Sequence, residues 1–175
     1  MKKFKYSKID EIIKVAKKGK IFILVDDKNR ENEGDLVFVA KKTSAKKINF
    51  MAKYGRGLIC LALDKKQSSK LGLSLMPSRN SSRLKTAFTV SIEARKGVTT
   101  GISALDRAKT VLVAINKNSN PKSISTPGHI FPLVARDGGV LTRAGHTEAS
   151  VDIANIAGMG KSAVICEILN DDGTM

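Results

Sequence analysis

Five of the chain's sixteen carboxylates fall within ten residues, Asp26-Asp27-Lys28-Asn29-Arg30-Glu31-Asn32-Glu33-Gly34-Asp35, in a protein whose formal net charge is +15. Carboxylates crowded this closely raise one another's pKa unless a cation sits among them. Hard oxygen ligands of this kind suit Mg²⁺ or Mn²⁺ better than zinc. Apolar runs flank the cluster, residues 21–25 before it and 36–40 after it. The acids are therefore expected on a connection between two buried strands, where a rigid scaffold can aim them.

The segment Arg143-Ala144-Gly145-His146-Thr147 runs into a helix expected to start at Thr147. A helix N-terminus presents free N–H groups and partial positive charge, which favours an anion such as phosphate. Arg143 can add a bidentate guanidinium and Thr147 a hydroxyl. A simpler reading competes on equal terms: Thr147 only caps the helix, and Arg143 pairs with a surface acid. The two histidines, His129 and His146, each follow a glycine at an element boundary, where backbone and ligand can approach closely. A lone histidine is nonetheless more often structural than catalytic. Glu167 interrupts the apolar run 163–169. It either faces outward, the default from strand alternation, or sits in a cleft with a shifted pKa suited to proton transfer. Residues Thr99, Thr100, Gly101 and Ser103 precede another helix and make a weaker anion pocket, in which Asp106 serves as a capping residue.

The elements needed to position these groups follow from periodicity. A helix is expected over Ser7–Lys18, capped by Ser7, with Ile9, Ile12, Ile13 and Ala16 on one face. Ser44 opens a second helix with Ile48, Met51 and Ala52 on its apolar side. A strand over 58–63 and a short helix over 65–71 come next. Residues 76–85 are breaker-rich and are expected to form a mobile loop. Strands are expected at 88–92, from about His129, at 140–142 and at 162–169. A helix with Leu105, Ala108, Leu112 and Ile115 inward follows Ser103, and the last helix covers 147–157. Strands and helices intermix without strict βαβ order, which fits a mixed sheet covered by helices on both faces.

Composition narrows the function class. At 175 residues and 42% apolar content the chain suffices for one domain with a proper core. No apolar run approaches the roughly 18 residues that span a bilayer, and the basic N-terminus leads into a charged segment rather than a signal-peptide core. A cytoplasmic address without membrane attachment follows as the expectation. Cys60 and Cys166 lie in apolar runs without metal-ligand spacing, as buried reduced thiols do; a reactive role for Cys60 carries less weight. Of the 31 basic residues only eight are Arg, and Trp is absent. Lysines dispersed in ones and twes over solvent faces explain the charge better than a nucleic-acid surface does. The same field would steer a small anionic substrate.

In order along the chain, Asp26-Asp27, the run 30–35, the run 88–94, the run 97–101, the run 103–107, the run 127–132, the run 138–149 and Cys166-Glu167 through Met175 resemble the 3,4-dihydroxy-2-butanone 4-phosphate synthase family of riboflavin biosynthesis. The resemblance covers nearly the whole chain. It implies an α+β fold, a three-layer α/β/α sandwich around a mixed sheet, in a homodimer with active sites at the subunit interface. It implies conversion of D-ribulose 5-phosphate to L-3,4-dihydroxy-2-butanone 4-phosphate and formate with Mg²⁺ or Mn²⁺. By position, Glu31 and His146 would bind metal. Arg30, Glu31, Asp35, Glu167 and the segment Arg143, Ala144, Gly145, His146 and Thr147 would hold substrate, and His129 and Glu167 would be catalytic, with Glu33 assisting. The stretch 1–175 would be one synthase domain lacking the family's usual C-terminal elements. The covering loop departs from the family in its extra basic residues between Arg79 and Lys85, with Lys85 where relatives often carry glycine. A metal-dependent sugar-phosphate isomerase and a basic nucleic-acid-binding module of related fold are the alternatives.

Overall fold

A computed structural model describes residues 6–76 and 79–175. The basic stretch 1–5, and Pro77 and Ser78 of the expected mobile loop, lie outside the described residues. The elements run α1 (Ile9–Lys17), β1 (Phe22–Val25), β2 (Gly34–Val39), α2 (Ala45–Phe50), β3 (Cys60–Leu63), α3 (Lys65–Lys70), β4 (Ile92–Ala94), α4 (Ala104–Ala114), β5 (Ile124–Val134), α5 (His146–Ile156) and β6 (Ser162–Glu167). The strands form one mixed sheet in the order β1-β2-β6-β3-β5-β4. Only β3 and β5 run parallel; the remaining neighbours are antiparallel.

Strand alternation divides the sheet's side chains between two helical layers. Leu36, Phe38, Leu61, Val164 and Cys166 point to one face and pack with Ile48, Met51, Ala108, Val111 and Ala114 of the α2/α4 layer. Val37, Val39, Cys60, Ala163 and Ile165 point to the other and pack with Ala16, Ile153 and Ala154 of the α1/α5 layer. This is the expected three-layer α+β sandwich. By the same alternation Asp35 and Glu167, directly opposite each other in register, both fall on the α5 face.

Several local expectations shift, each for a physical reason. In α1 the cap moves to Lys8, whose N–H donates to Glu11 Oε2 (3.2 Å), and Ile9 remains 58% exposed. Ser44 caps α2 as expected, but a π-helical turn over Met51–Gly55 rotates Ala52 out of the apolar stripe. In α4 the buried stripe is Ala108, Val111 and Ala114, leaving Leu105 and Leu112 70% and 42% exposed. That phase is possible because two polar residues on the inner side, Asp106 and Thr110, are satisfied by hydrogen bonds. The strand expected over 88–92 reduces to single bridges at Phe88 and Thr89, with β4 beginning only at Ile92. Residues 140–142 are not a strand. Gly138 and Gly139 take left-handed φ values of 92° and 60° and turn the chain into a 3₁₀ segment, Gly139–Leu141. β5 begins at Ile124, earlier than expected.

Candidate active site

The acidic connection is the tip of the β1–β2 hairpin, closed by the Val25–Gly34 pair. Asp26 organises it. One carboxylate oxygen accepts the N–H of Glu33 (3.0 Å); the other accepts the N–H of Glu31 (3.0 Å) and the guanidinium of Arg30 (2.7 Å). Burial alone would raise the Asp26 pKa, but these donors outweigh it and hold the carboxyl below its usual value. Asn32 completes the turn with a left-handed φ of 55°. Folded this way, the loop turns Arg30, Glu31 and Glu33 towards the same end of the sheet as Asp35. Arg30 also pairs with the Glu31 carboxylate.

On the α5 face these acids meet His146. Its Nδ1 lies 3.2 Å from Asp35 Oδ1, and the two residues are 9% and 3% exposed. Burial works against a protonated imidazole here, yet Asp35, with added pull from Asp26 and Glu31, raises its pKa. The other ring nitrogen, Nε2, is buried without a hydrogen-bond partner among the described residues. Burial, followed by the charges of Glu31, Asp35 and Asp26, pushes Glu33 up. Burial, followed by Asp35 and then Glu33, pushes Glu167 up, even though its Oε2 accepts the Leu58 N–H (2.8 Å). Glu167 is thus half-buried in the site, which corrects the outward default. Gly57 makes room for it, since a Cβ there would come within 2.6 Å of Oε2.

The start of α5 supplies the opposite charge. Its N-cap is Gly145, with no side-chain cap, so Thr147 lies inside the first turn and is not the cap. A Cβ on Gly145 would stand 2.2 Å from an Arg143 guanidinium nitrogen and 3.0 Å from one of Arg30. Two guanidinium groups therefore press against the uncapped end of the helix. Arg143 does pair with an acid, but a buried one: Nη1 donates to Glu148 (2.7 Å), a residue 1% exposed. Its Nη2 donates to Thr86 Oγ1 (3.1 Å). Arg83 reaches the Arg30 carbonyl at 3.3 Å, so the basic loop folds over the acids. Lys85 in that loop has φ of 49°, the left-handed region where glycine is the unstrained residue.

One narrow cleft of about 170 Å³ collects Arg30, Glu31, Glu33, Asp35, Arg143, His146, Thr147 and Glu167. It shares Glu31, Thr86 and Phe88 with a wider cleft of about 460 Å³ beneath the 79–86 loop. Ala144 is exposed and Gly145 buried on the segment between Arg143 and His146. His129 is the exception. It lines neither cleft; its side chain is 41% exposed, with Nδ1 2.6 Å from Glu93 Oε2. Asp26, Glu93 and Glu148 contact Arg30, His129 and Arg143, and sequence reasoning singled out none of the three contacts. Asp26 carried a usable signal, an acid heading a tight polar loop; Glu148 and Glu93 carried none.

A hard divalent cation suits this arrangement. Among the described residues no three His, Cys, Asp or Glu side chains form a ready cage. Mg²⁺ commonly needs only one or two protein ligands, with water and substrate oxygens completing its shell. The unpartnered His146 Nε2 and a mutually repelling acid cluster are what such an ion would relieve. The cysteines do not contribute: both are buried, and burial pushes Cys60 up and Cys166 up to about 12, away from the thiolate.

Comparison with known proteins accords with this geometry. The family model for 3,4-dihydroxy-2-butanone 4-phosphate synthase matches residues 10–175. The protein of that name from Photobacterium phosphoreum is 57% identical over 97% of this chain and 47% of its own length. The riboflavin biosynthesis protein RibBA of Aquifex aeolicus is 54% identical over 98% of this chain and 43% of its own. The chain thus spans about half the length of the curated relatives it matches. Among solved structures, a two-domain 3,4-dihydroxy-2-butanone 4-phosphate synthase from A. baumannii superposes with a TM-score of 0.93 at 46% identity, covering 97% of this chain and 50% of that one. A synthase in complex with two magnesium ions gives 0.93 at 39% identity, covering 95% and 77%. A match over nearly every residue, with identities above one half, means that the chain belongs to the 3,4-dihydroxy-2-butanone 4-phosphate synthase family.

Proposed function

We propose that this chain converts D-ribulose 5-phosphate into L-3,4-dihydroxy-2-butanone 4-phosphate and formate, as a cytoplasmic lyase of riboflavin biosynthesis using Mg²⁺ or Mn²⁺. The observation that carries the reading is the meeting, in one cleft, of an acid cluster, a buried imidazole with a free nitrogen, and two guanidinium groups at an uncapped helix start. Glu31 and His146 would hold the ion. When bound, it would polarise the ketose carbonyl and acidify the neighbouring C–H.

The chain's own residues supply the rest. Arg30, Arg143 and the first N–H groups of α5 bind the phosphate, fixing one end of the sugar while its carbonyl end faces the acids. Glu33 and Glu167, whose pKa values burial and neighbouring carboxylates raise, are made better proton acceptors than an ordinary carboxylate and take and return the protons of the reaction. Asp35 lies beside His146 Nδ1 at 3.2 Å as its charge partner, and Nε2 stays free for a ligand. The 79–86 loop covers the cleft and limits water. His129, exposed and off the cleft, acts in a homodimer, where a second copy presents it to the site.

The test is formate release from ribulose 5-phosphate with Mg²⁺, repeated with chelator and with Glu31→Ala. Turnover should disappear in both controls while the sheet's circular dichroism stays intact. An isomerised pentose without formate would replace this reading with a sugar-phosphate isomerase. Steeply salt-dependent RNA binding without turnover would replace it with a nucleic-acid module.

A further inference from the structure

We infer that a second binding site lies at the end of the sheet remote from the acidic cleft and takes a nucleoside triphosphate; it stands apart from the proposed activity. β6 is six residues long, with Glu167 at one end and Ser162 at the other, a span of about 17 Å. Ser162 lines a cleft of about 670 Å³, the size of a small-molecule pocket. That cleft shares no residue with the two beside Glu31.

Lysines that look dispersed along the chain meet here. Lys41 comes from the 3₁₀ turn after β2, Lys66 and Lys70 from α3, Lys117 from the turn after α4 and Lys161 from the turn before β6. One carboxylate, Asp64, lines the same cleft, and it is occupied with capping α3, where it accepts the Gln67 N–H (2.9 Å). Lys70 reaches the Lys117 carbonyl. Among the described residues the one lysine in an ion pair is Lys65, which lies 3.8 Å from Asp137 and outside this cleft. Like charges gathered round one concavity repel, and its low-dielectric walls focus their field. An anion with several charges relieves that repulsion.

The walls are tied together. The Asp64 N–H donates to the Lys161 carbonyl (3.3 Å), joining the end of β3 to the turn before β6. Gln67 Nε2 donates to the Ala114 carbonyl (2.6 Å), joining α3 to the end of α4. The cleft also has apolar lining: Leu112, left 42% exposed by the phase of α4, with Ile115 and Met159. A thioether and branched side chains suit the face of a flat ring, and ammonium groups suit phosphates as point charges. An inorganic anion would leave the apolar residues wet, and an uncharged ring would leave the amines unopposed. A nucleoside triphosphate satisfies both. A nucleic-acid strand fits less well, because no aromatic side chain lines the cleft to stack successive bases.

ATP without divalent cation is the probe, titrated calorimetrically into the whole chain at about 0.15 M salt. A single ATP should bind, inorganic tripolyphosphate several-fold more weakly, and adenosine not measurably. Lys66→Glu with Lys161→Glu should weaken ATP binding by about 10-fold or more. Lys53→Glu with Lys122→Glu makes the same charge change at exposed positions that line none of the clefts, and should stay within about 3-fold. Leu112→Ser should lower affinity for ATP and leave that for tripolyphosphate unchanged. Circular dichroism checks each fold; should the first pair not fold, Lys66→Gln with Lys161→Gln carries the same test. Excess ribulose 5-phosphate should not displace ATP. Equal weakening by the two charge-reversed pairs would reduce the effect to the chain's overall field, and displacement by the sugar phosphate would move ATP to the acidic cleft. Either result overturns the inference, as does an absence of ATP binding. Single-stranded RNA that binds more tightly than ATP, and is lost with Lys66→Glu and Lys161→Glu, overturns it in favour of a nucleic-acid surface.

Discussion

Asp26 lines neither cleft, and its replacement tests how the acidic loop is held. The carboxylate accepts two backbone N–H groups and one guanidinium, with its side chain 4% exposed. Hydrogen bonds to a charged group contribute about 1.5–3 kcal/mol each, though bonds sharing one acceptor do not add. Because a hairpin tip can open to water when released, Asp26→Ala should cost about 2–4 kcal/mol. For a domain of this size that lowers Tm by about 4–16 °C. Asp27→Ala is the internal control. Asp27 is exposed and accepts one local N–H, from Asn29 at 2.8 Å, so its loss should stay within about 0.5 kcal/mol. Thermal melts of the three proteins by circular dichroism, with formate release measured alongside, separate the cases. Activity of Asp26→Ala should fall with stability, since Arg30, Glu31 and Glu33 all take their direction from this carboxylate. Equal melting points for the two variants, or full turnover in Asp26→Ala, would refute the argument.

Gly145→Ala should lower Tm, because the clash at 2.2 Å is with Arg143 Nη1, the nitrogen that pairs with buried Glu148. It should weaken binding of inorganic phosphate by about 10-fold or more, the loss of one charge-assisted hydrogen bond, as read by calorimetry. Arg30 pairs with Glu31 while also lying against Gly145, so a cation that takes Glu31 releases Arg30 for the anion. Phosphate should bind several-fold more tightly with Mg²⁺ than without, and Mg²⁺ more tightly with phosphate by the same factor; independent titrations would remove Arg30 from that role. Asp106 is held below its ordinary pKa first by the Thr99 hydroxyl and then by the Gly101 N–H. A carboxyl lowered on folding stabilises above its unfolded pKa, and that contribution is lost as pH falls through the folded value. Asp106→Asn should therefore narrow the stability gap to wild type as pH drops below about 3.8 and keep it constant above about 6; a gap independent of pH across that range would contradict the assignment.

Elements with a strong apolar period were legible from residues alone. The runs at 21–25 and 36–40 became β1 and β2, and the acids fell on the turn between them, because two buried strands leave a polar connection nowhere else to go. What could not be read was helix phase where polar residues turn inward. Asp106 and Thr110 look like surface positions, so the apolar stripe of α4 was assigned to Leu105 and Leu112, when hydrogen bonds from the 99–101 loop and Glu93 let the helix rotate. Periodicity cannot anticipate this, since the compensating partners come from another element. Nor can it anticipate the π turn after α2, which adds a residue to the turn and moves Ala52 outward.

The site divides along the same line. Glu31, Asp35 and His146 come together because β2 begins inside the acidic loop and α5 begins at the same end of the sheet, and order along the chain pointed to each separately. Glu167 needed the sheet register. Alternation alone sent it outward, but the face it occupies is also the α5 face, so pointing away from one core cluster means pointing at His146 and Asp35. Glu148 is the clearest limit. It lies on a helix five residues beyond Arg143, and nothing in that spacing distinguishes a surface acid from a buried one. Burial decides its effect. An exposed partner would let Arg143 swing away at little cost, whereas a carboxylate at 1% exposure cannot lose its guanidinium without leaving a bare charge in the interior. Arg143 is thereby anchored, through Nη1 to Glu148 and through Nη2 to Thr86, with its fork beside Gly145, and under the proposed function a phosphate at the start of α5 would meet a guanidinium that has already given up its rotational freedom.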